Sequence, residues 1–209
     1  DTYSGNFQND KPNGQGTYTY ADGRVYVGDF RDGIINGLGT FTELDGSTYD
    51  GDWLGGKRQG QGIQIDAIGQ IYTGAFNENI FNGEGNLIFA NGDTYIGPFQ
   101  NGVQSGEGTL KYESGDEYVG PFTNGARTGK GTFTYSNGDQ YVGGFQQDEQ
   151  QGEGVLTYAN GDKYVGSFQA GKPNGQGRLE LAASGNVYEG MYKDGLFDGQ
   201  GTYTFANGD

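Results

Sequence analysis

Tyrosine stands at positions 3, 26, 49, 72, 95, 118, 141, 164 and 188. Every step is 23 residues except the last, which is 24. A fixed period of this size marks stacked supersecondary units, each unable to bury its apolar face alone. Each unit follows Y-x-G-x-[FWY], six variable residues, G-x-G-x-Φ-x-Φ and a short turn ending in Gly, as in YVGSFQAGKPNGQGRLEL. Nine units fill residues 1–209 as a single array and leave no room for a second domain.

Glycine is 44 of 209 residues, spread every few positions, which penalises helix throughout. Aromatic positions alternate with period two, so each unit reads as two short strands. Faces then fix the turn in LTYANGDKY (156–164). A two-residue loop would put Leu156 and Tyr158 on the opposite face from Tyr164, whereas paired residues share a face. A three-residue loop, Ala159-Asn160-Gly161, pairs Leu156 with Tyr164 and gathers the large residues on one side. It is a type I turn followed by a left-handed Gly. AASG (182–185) is expected to be a four-residue version.

For the second connection, setting Phe168 opposite Gly175 across QAGKPN gives three cross-strand rows. One is Leu156, Tyr164, Leu179, Tyr188 and Tyr203. The next is all glycine: Gly154, Gly166, Gly177, Gly190 and Gly201. The third alternates Gly152, Phe168, Gly175, Tyr192 and Gly199. Rings can lie on the bare glycine backbone. The predicted fold is all-β: an elongated, twisted, single-layer antiparallel meander of nine hairpins with an aromatic and glycine-lined trough. Pro98 and Pro121 share a repeat position with Asp29, Asp52, Ala75, Gly144, Ser167 and Met191. Proline cannot donate to a ladder, so the N–H at this position is expected to be unpaired in every unit.

YVGDF…NGLGTF, YIGPF…SGEGTL and YVGSF…NGQGRL resemble MORN repeats (membrane occupation and recognition nexus), over the whole chain. The resemblance implies a meander of hairpins without catalysis, serving docking, dimerisation, tethering or membrane association. Many members carry His before GxG; here that place holds Asn13, Asn36, Gln59, Asn82, Ser105, Thr128, Gln151, Asn174 and Asp198.

Composition narrows the function. Cys and His are both absent, which removes thiolate chemistry and the commonest general base and zinc ligand. The net charge of −15 argues against nucleic acid and against anionic membrane surfaces. No run of 18 apolar residues occurs, no signal peptide is visible at the start, and the cytoplasm is the favoured compartment. The turn aspartates Asp93, Asp116, Asp139 and Asp162 would lie roughly 10 Å apart, too far to share an ion, and read as soluble flanks of their turns. Neither cofactor nor metal is expected.

The trough is the candidate site, with Tyr26, Phe30, Tyr49, Trp53, Tyr72, Phe76, Tyr95, Phe99, Tyr118 and Phe122 as partner-binding rings. Unit three departs from the pattern at GQGIQIDAIG, so that Glu43, Gln64, Asp66 and Gln70 form a polar groove. A one-residue slip turning Ile63 and Ile65 inward is the alternative; Gln64 found inside the trough would exclude it. The expected function is a non-catalytic scaffold that binds a protein or peptide segment. The rivals are a phospholipid-headgroup module and a glycan-binding groove. The chain is expected to be an excised segment, DTY to NGD, whose uncapped edge strands pair end to end or as a homodimer.

Overall fold

The computed structural model describes residues 1–207, so Gly208 and Asp209 of the closing NGD lie outside it. All regular structure among the described residues is β: 20 strands and no helix. The chain divides into two compact units, Asp1–Val103 and Gln104–Asp209. Each is an antiparallel meander in which neighbouring strands pair, with Ala126–Arg127 and Gly129–Thr134 both pairing Glu117–Thr123 as one interrupted strand. In the first, for example, Val25–Arg31, Ile34–Thr42, Thr48–Leu54, Lys57–Ile65 and Ile71–Asn77 follow one another in register.

The three-residue turn is as expected. Leu156 opposes Tyr164. The Tyr158 N–H donates to Asp162 O and the Gly161 N–H to Tyr158 O, both at 2.9 Å. Gly161 has φ 91°, a left-handed value that favours glycine. The longer turn is also present: Leu181 N–H reaches Asn186 O at 2.9 Å, spanning Ala182 to Gly185.

The second connection differs from expectation. Phe168 opposes Pro173, not Gly175, and Gln169 opposes Lys172. The loop is therefore the two-residue Ala170-Gly171, with φ 50° and 77°, as a type I′ turn requires. The surplus residues bulge out at Asn174–Gln176, where the register shifts between Gly166 and Phe168. Gly175 does face Tyr192 on the following strand. The shift recurs at Asp29, Asp52, Ala75, Gly144 and Met191, the position that carries proline in two repeats. The ladder to the following strand thus breaks where proline is tolerated.

The break is closed by the tyrosine of the same unit. Tyr26, Tyr49, Tyr72 and Tyr95 donate their hydroxyls to the carbonyls of Asp29, Asp52, Ala75 and Pro98 at 2.9–3.1 Å. Tyr118, Tyr141, Tyr164 and Tyr188 do the same to Pro121, Gly144, Ser167 and Met191. Each ring crosses the glycine row to get there. A Cβ on Gly39 would lie 2.2 Å from the Tyr26 hydroxyl, and one on Gly28 would lie 2.4 Å from the Gly39 Cα. The row is therefore glycine because ring and backbone both occupy the space.

The core is this aromatic ladder. Within each compact unit a repeat's tyrosine meets its own repeat's ring edge-on and then the ring of the next repeat: Tyr49 lies 5.1 Å from Trp53 and 4.9 Å from Phe76. In the second unit Tyr141 lies 5.4 Å from Phe145 and 4.7 Å from Phe168. Such pairs add roughly 0.5–1.5 kcal/mol beyond burial. Burial raises the phenol pKa of Tyr49, Tyr72, Tyr118, Tyr141 and Tyr164 to about 12.

Candidate binding groove

All ten predicted rings are buried: Tyr26, Phe30, Tyr49, Trp53, Tyr72, Phe76, Tyr95 and Phe99 in the first unit, Tyr118 and Phe122 in the second. They hold the strands together. A groove of about 480 Å³ opens above them in the first unit, with Tyr49, Trp53 and Phe41 as its aromatic wall. Glu43, Gln64 and Asp66 line it, together with Arg24, Ser47 and Arg58. Gln70 stands behind Asp66, to which it donates from both its backbone N–H (2.9 Å) and its side-chain amide (2.7 Å).

The groove lies where two repeat positions are filled differently. Gln64 pairs with Tyr49 and Tyr72, in the row where neighbouring strands carry Phe41 and Leu87. Its amide occupies less apolar volume than a ring. Ile63 and Ile65 are exposed at 44% and 40%, which excludes the register slip. Two residues before each tyrosine, the second unit has Asp116, Asp139 and Asp162. Their carboxylates do more than flank a turn: they accept the N–H of Ser136, Ala159 and Ala182 on the next turn, at 2.7–2.8 Å. At the groove the same positions are Arg24, Ser47 and Gln70. Ser47 and Arg24 line the space, and Gln70 bonds Asp66 instead.

Arg24 and Trp53 are fixed by neighbours. The Trp53 indole Nε1 donates to Gly39 O at 2.9 Å. Arg24 stacks 4.8 Å from the Tyr20 ring centroid and bonds Asp22 at 2.9 Å, with Glu43 at 4.0 Å. The Arg24 backbone N–H is the main cause holding the Asp22 carboxyl below its usual range.

Arg58 escapes a reading of the sequence, because the expected register sets Gly60 rather than Arg58 opposite Trp53. The two-residue turn Gly55-Gly56 puts Arg58 there instead. Its guanidinium lies 5.6 Å from the Tyr49 centroid and 5.8 Å from Phe76. Nη1 donates to the Gln64 side-chain oxygen, and Nη2 to Asn79 O at 3.1 Å. The Asn79 side chain accepts the Arg58 N–H at 2.8 Å. No carboxylate lies within 4.0 Å of Arg58 among the described residues. Burial is the main reason its pKa is lowered.

The second unit places an arginine at the same repeat position but surrounds it differently. Arg127 opposes Phe122 and lies 5.3–6.0 Å from the centroids of Tyr112, Tyr118, Phe133 and Phe145. Its Nε meets Asp148 Oδ1 at 3.1 Å, its Nη2 meets Asp148 O at 2.6 Å, and its N–H meets Asp148 Oδ1 at 2.9 Å. The space beside it is about 230 Å³, and Gln150 closes on the Tyr135 hydroxyl at 2.7 Å.

No cluster of three His, Cys, Asp or Glu residues able to hold a metal occurs among the described residues. No described helix is long and apolar enough to cross a membrane.

The family model for the MORN repeat matches residues 3–23, 26–48, 49–71, 72–94, 95–117, 118–140, 141–163, 164–183 and 188–209. A comparison with curated proteins gives no match. Among solved structures, the chain is similar to the TCP domain of Drosophila melanogaster SAS-4 (dCPAP), solved with a proline-rich motif of Ana2. That likeness has 16% identity and a TM-score of 0.47, covering 74% of this chain and 85% of the other. It is also similar to the TCP10 domain of Danio rerio CPAP, at 15% identity and TM-score 0.38, covering 88% and 91%.

Proposed function

Since the chain belongs to the MORN-repeat family, we propose that it is a non-catalytic docking module that binds an extended segment of a protein partner in the groove of its first unit. One observation carries the reading. Where the aspartate link between neighbouring turns is replaced by Arg24, Ser47 and Gln70, a space of about 480 Å³ opens over the Tyr49 and Trp53 rings. An aromatic wall with a rim of donors and acceptors suits a peptide, whose side chains bury on rings while its backbone bonds to the rim. The other predicted rings of the first unit, Tyr26, Phe30, Tyr72, Phe76, Tyr95 and Phe99, support such binding by fixing its strands, whereas Tyr118 and Phe122 belong to the second unit.

The test is a plug. Ser47 lines the groove and is only half-buried, so Ser47→Trp fills the space without removing a core ring. Immobilised wild-type chain is expected to capture a protein partner, and the plugged chain to lose it at unchanged melting temperature. Capture that survives the plug puts the partner elsewhere and removes the reading. Anionic vesicles in flotation, or glycans on an array, retained by the wild type and lost by the plug would replace the protein partner with one of those classes.

A further inference from the structure

We propose that the groove selects an acidic residue, and that the Arg58 guanidinium receives its carboxylate. This rests on the docking reading above and names the chemistry of the partner segment. Arg58 is held among Tyr49, Phe76 and Gln64, half out of water. A guanidinium has five N–H donors, and a cation removed from water costs free energy unless paired. Two of those donors have acceptors here, both neutral: the Gln64 side chain and the Asn79 carbonyl.

The same chain shows what completes the site. Arg127 takes its turn partner at the same offset of 21 residues, and there the partner is Asp148, which supplies both the carbonyl and a carboxylate. Asn79 reproduces the backbone half of this arrangement and omits the charge. Both residues hold left-handed φ, 73° and 69°, at a turn position where other repeats carry Gly33, Gly56, Gly102 and Gly125. The turn geometry is thus shared. What the groove lacks is a carboxylate in contact with the guanidinium, since Glu43 acts on Arg58 only across the open space. A carboxylate delivered by a bound segment fits the planar fork of the guanidinium, which can hold two parallel bonds.

A single carboxylate suits the site better than phosphate. Glu43 and Asp66 line the same groove and repel a dianion about twice as strongly as a single carboxylate, while accepting a basic side chain elsewhere on the segment. Trp53 is the chain's sole tryptophan and forms the wall, so its fluorescence reports occupancy.

The experiment pans a phage-displayed random heptapeptide library against the intact chain at physiological salt. The selected sequences are expected to carry Asp or Glu beside an apolar residue. The synthetic consensus peptide should shift Trp53 fluorescence. Changing its acidic residue to the amide should weaken binding about tenfold, the scale of one charged hydrogen bond. Asn79→Asp should do the same, because it fills the carboxylate position from within; Asp148 shows that aspartate is accommodated at this turn. A consensus with no acidic residue, or one that binds equally to Asn79→Asp, overturns the carboxylate while leaving the docking reading intact if Ser47→Trp still blocks it. Inorganic phosphate shifting Trp53 at lower concentration than acetate also overturns it. Failure to select any peptide that Ser47→Trp blocks overturns both.

Discussion

Arg58 and Arg127 stand at one repeat position three repeats apart, and they differ in the rings around them and in whether a carboxylate meets the guanidinium. Arg127 lies under four rings with its carboxylate supplied by Asp148, and its side chain is 15% exposed. Arg58 lies over two rings with amide and carbonyl acceptors only. The second arrangement is closed upon itself; the first is left incomplete at the place where the wall opens. In a repeat protein the common register supplies the frame, and function enters where one unit declines to finish what its counterparts finish.

The largest expected effect should not distinguish the two units. The phenols of Tyr49 and Tyr72 in one, and of Tyr118, Tyr141 and Tyr164 in the other, are held at about 12 against an ordinary 10. Their folded pKa is raised, so the unfolded chain loses these protons first. The stabilisation is complete below pH 10 and disappears as pH climbs from 10 to 12. Tyrosinate absorbance and loss of β circular dichroism should therefore rise together over that interval. Titration of these phenols near their ordinary pKa with dichroism intact would refute the shared ladder.

The arginines should then separate the units. Arg127→Gln removes a cation from under four rings and from its carboxylate. Asp148 is 55% exposed and can regain water, so the cost is moderated to about 2 kcal/mol in denaturant unfolding. Arg58→Gln should cost less than about 1 kcal/mol, because the variant also removes a half-buried cation that no carboxylate contacts. Equal losses would erase the distinction. A smaller effect comes from exchanging the turn residues. Asn79→Asp should raise stability and Asp148→Asn lower it, each by roughly 0.5–1 kcal/mol for a partly exposed pair. A melting temperature that moves in the same direction for both would contradict the pairing logic.

The spacing of the tyrosines alone makes the hairpin array legible, and face matching makes the Ala159-Gly161 turn and the glycine row legible too. The row's cause is half visible in the same way. That rings lie on bare backbone follows from alternation, but the hydroxyl's reach to the carbonyl three residues on depends on the bulge, which no pattern of side-chain faces displays. The other connection is misread when its six variable residues are treated as one loop. The dipeptides Asp32-Gly33, Asn101-Gly102, Asn124-Gly125 and Asp194-Gly195 at that point are the standard signal for a two-residue type I′ turn, and their φ values are all positive. Given their full weight, they move Arg58 and Arg127 into the trough. Glu43, Gln64 and Asp66 stand out because they break a repeated pattern. Asn79 does not, because its meaning lies in comparison with Asp148 and not in its own unit.

The ladder's offsets carry a consequence for length. Tyr118 touches Phe145, one period ahead, at 4.9 Å, and Tyr141 touches Phe168 in the same way. Excising residues 141–163 would join Gln140 to Tyr164 and bring Phe168 to the place Phe145 leaves. The splice would be nearly seamless, whereas loss of a single residue inside a strand would turn the rest of that strand to the wrong face; only a turn, as at Ala182–Gly185, takes up a change of one residue. Recombination between copies of such a sequence can therefore shorten or lengthen the array in whole periods without unravelling it. The deletion would also discard Asp148 and present Gly171 to Arg127, turning a finished site into an open one in a single genetic step.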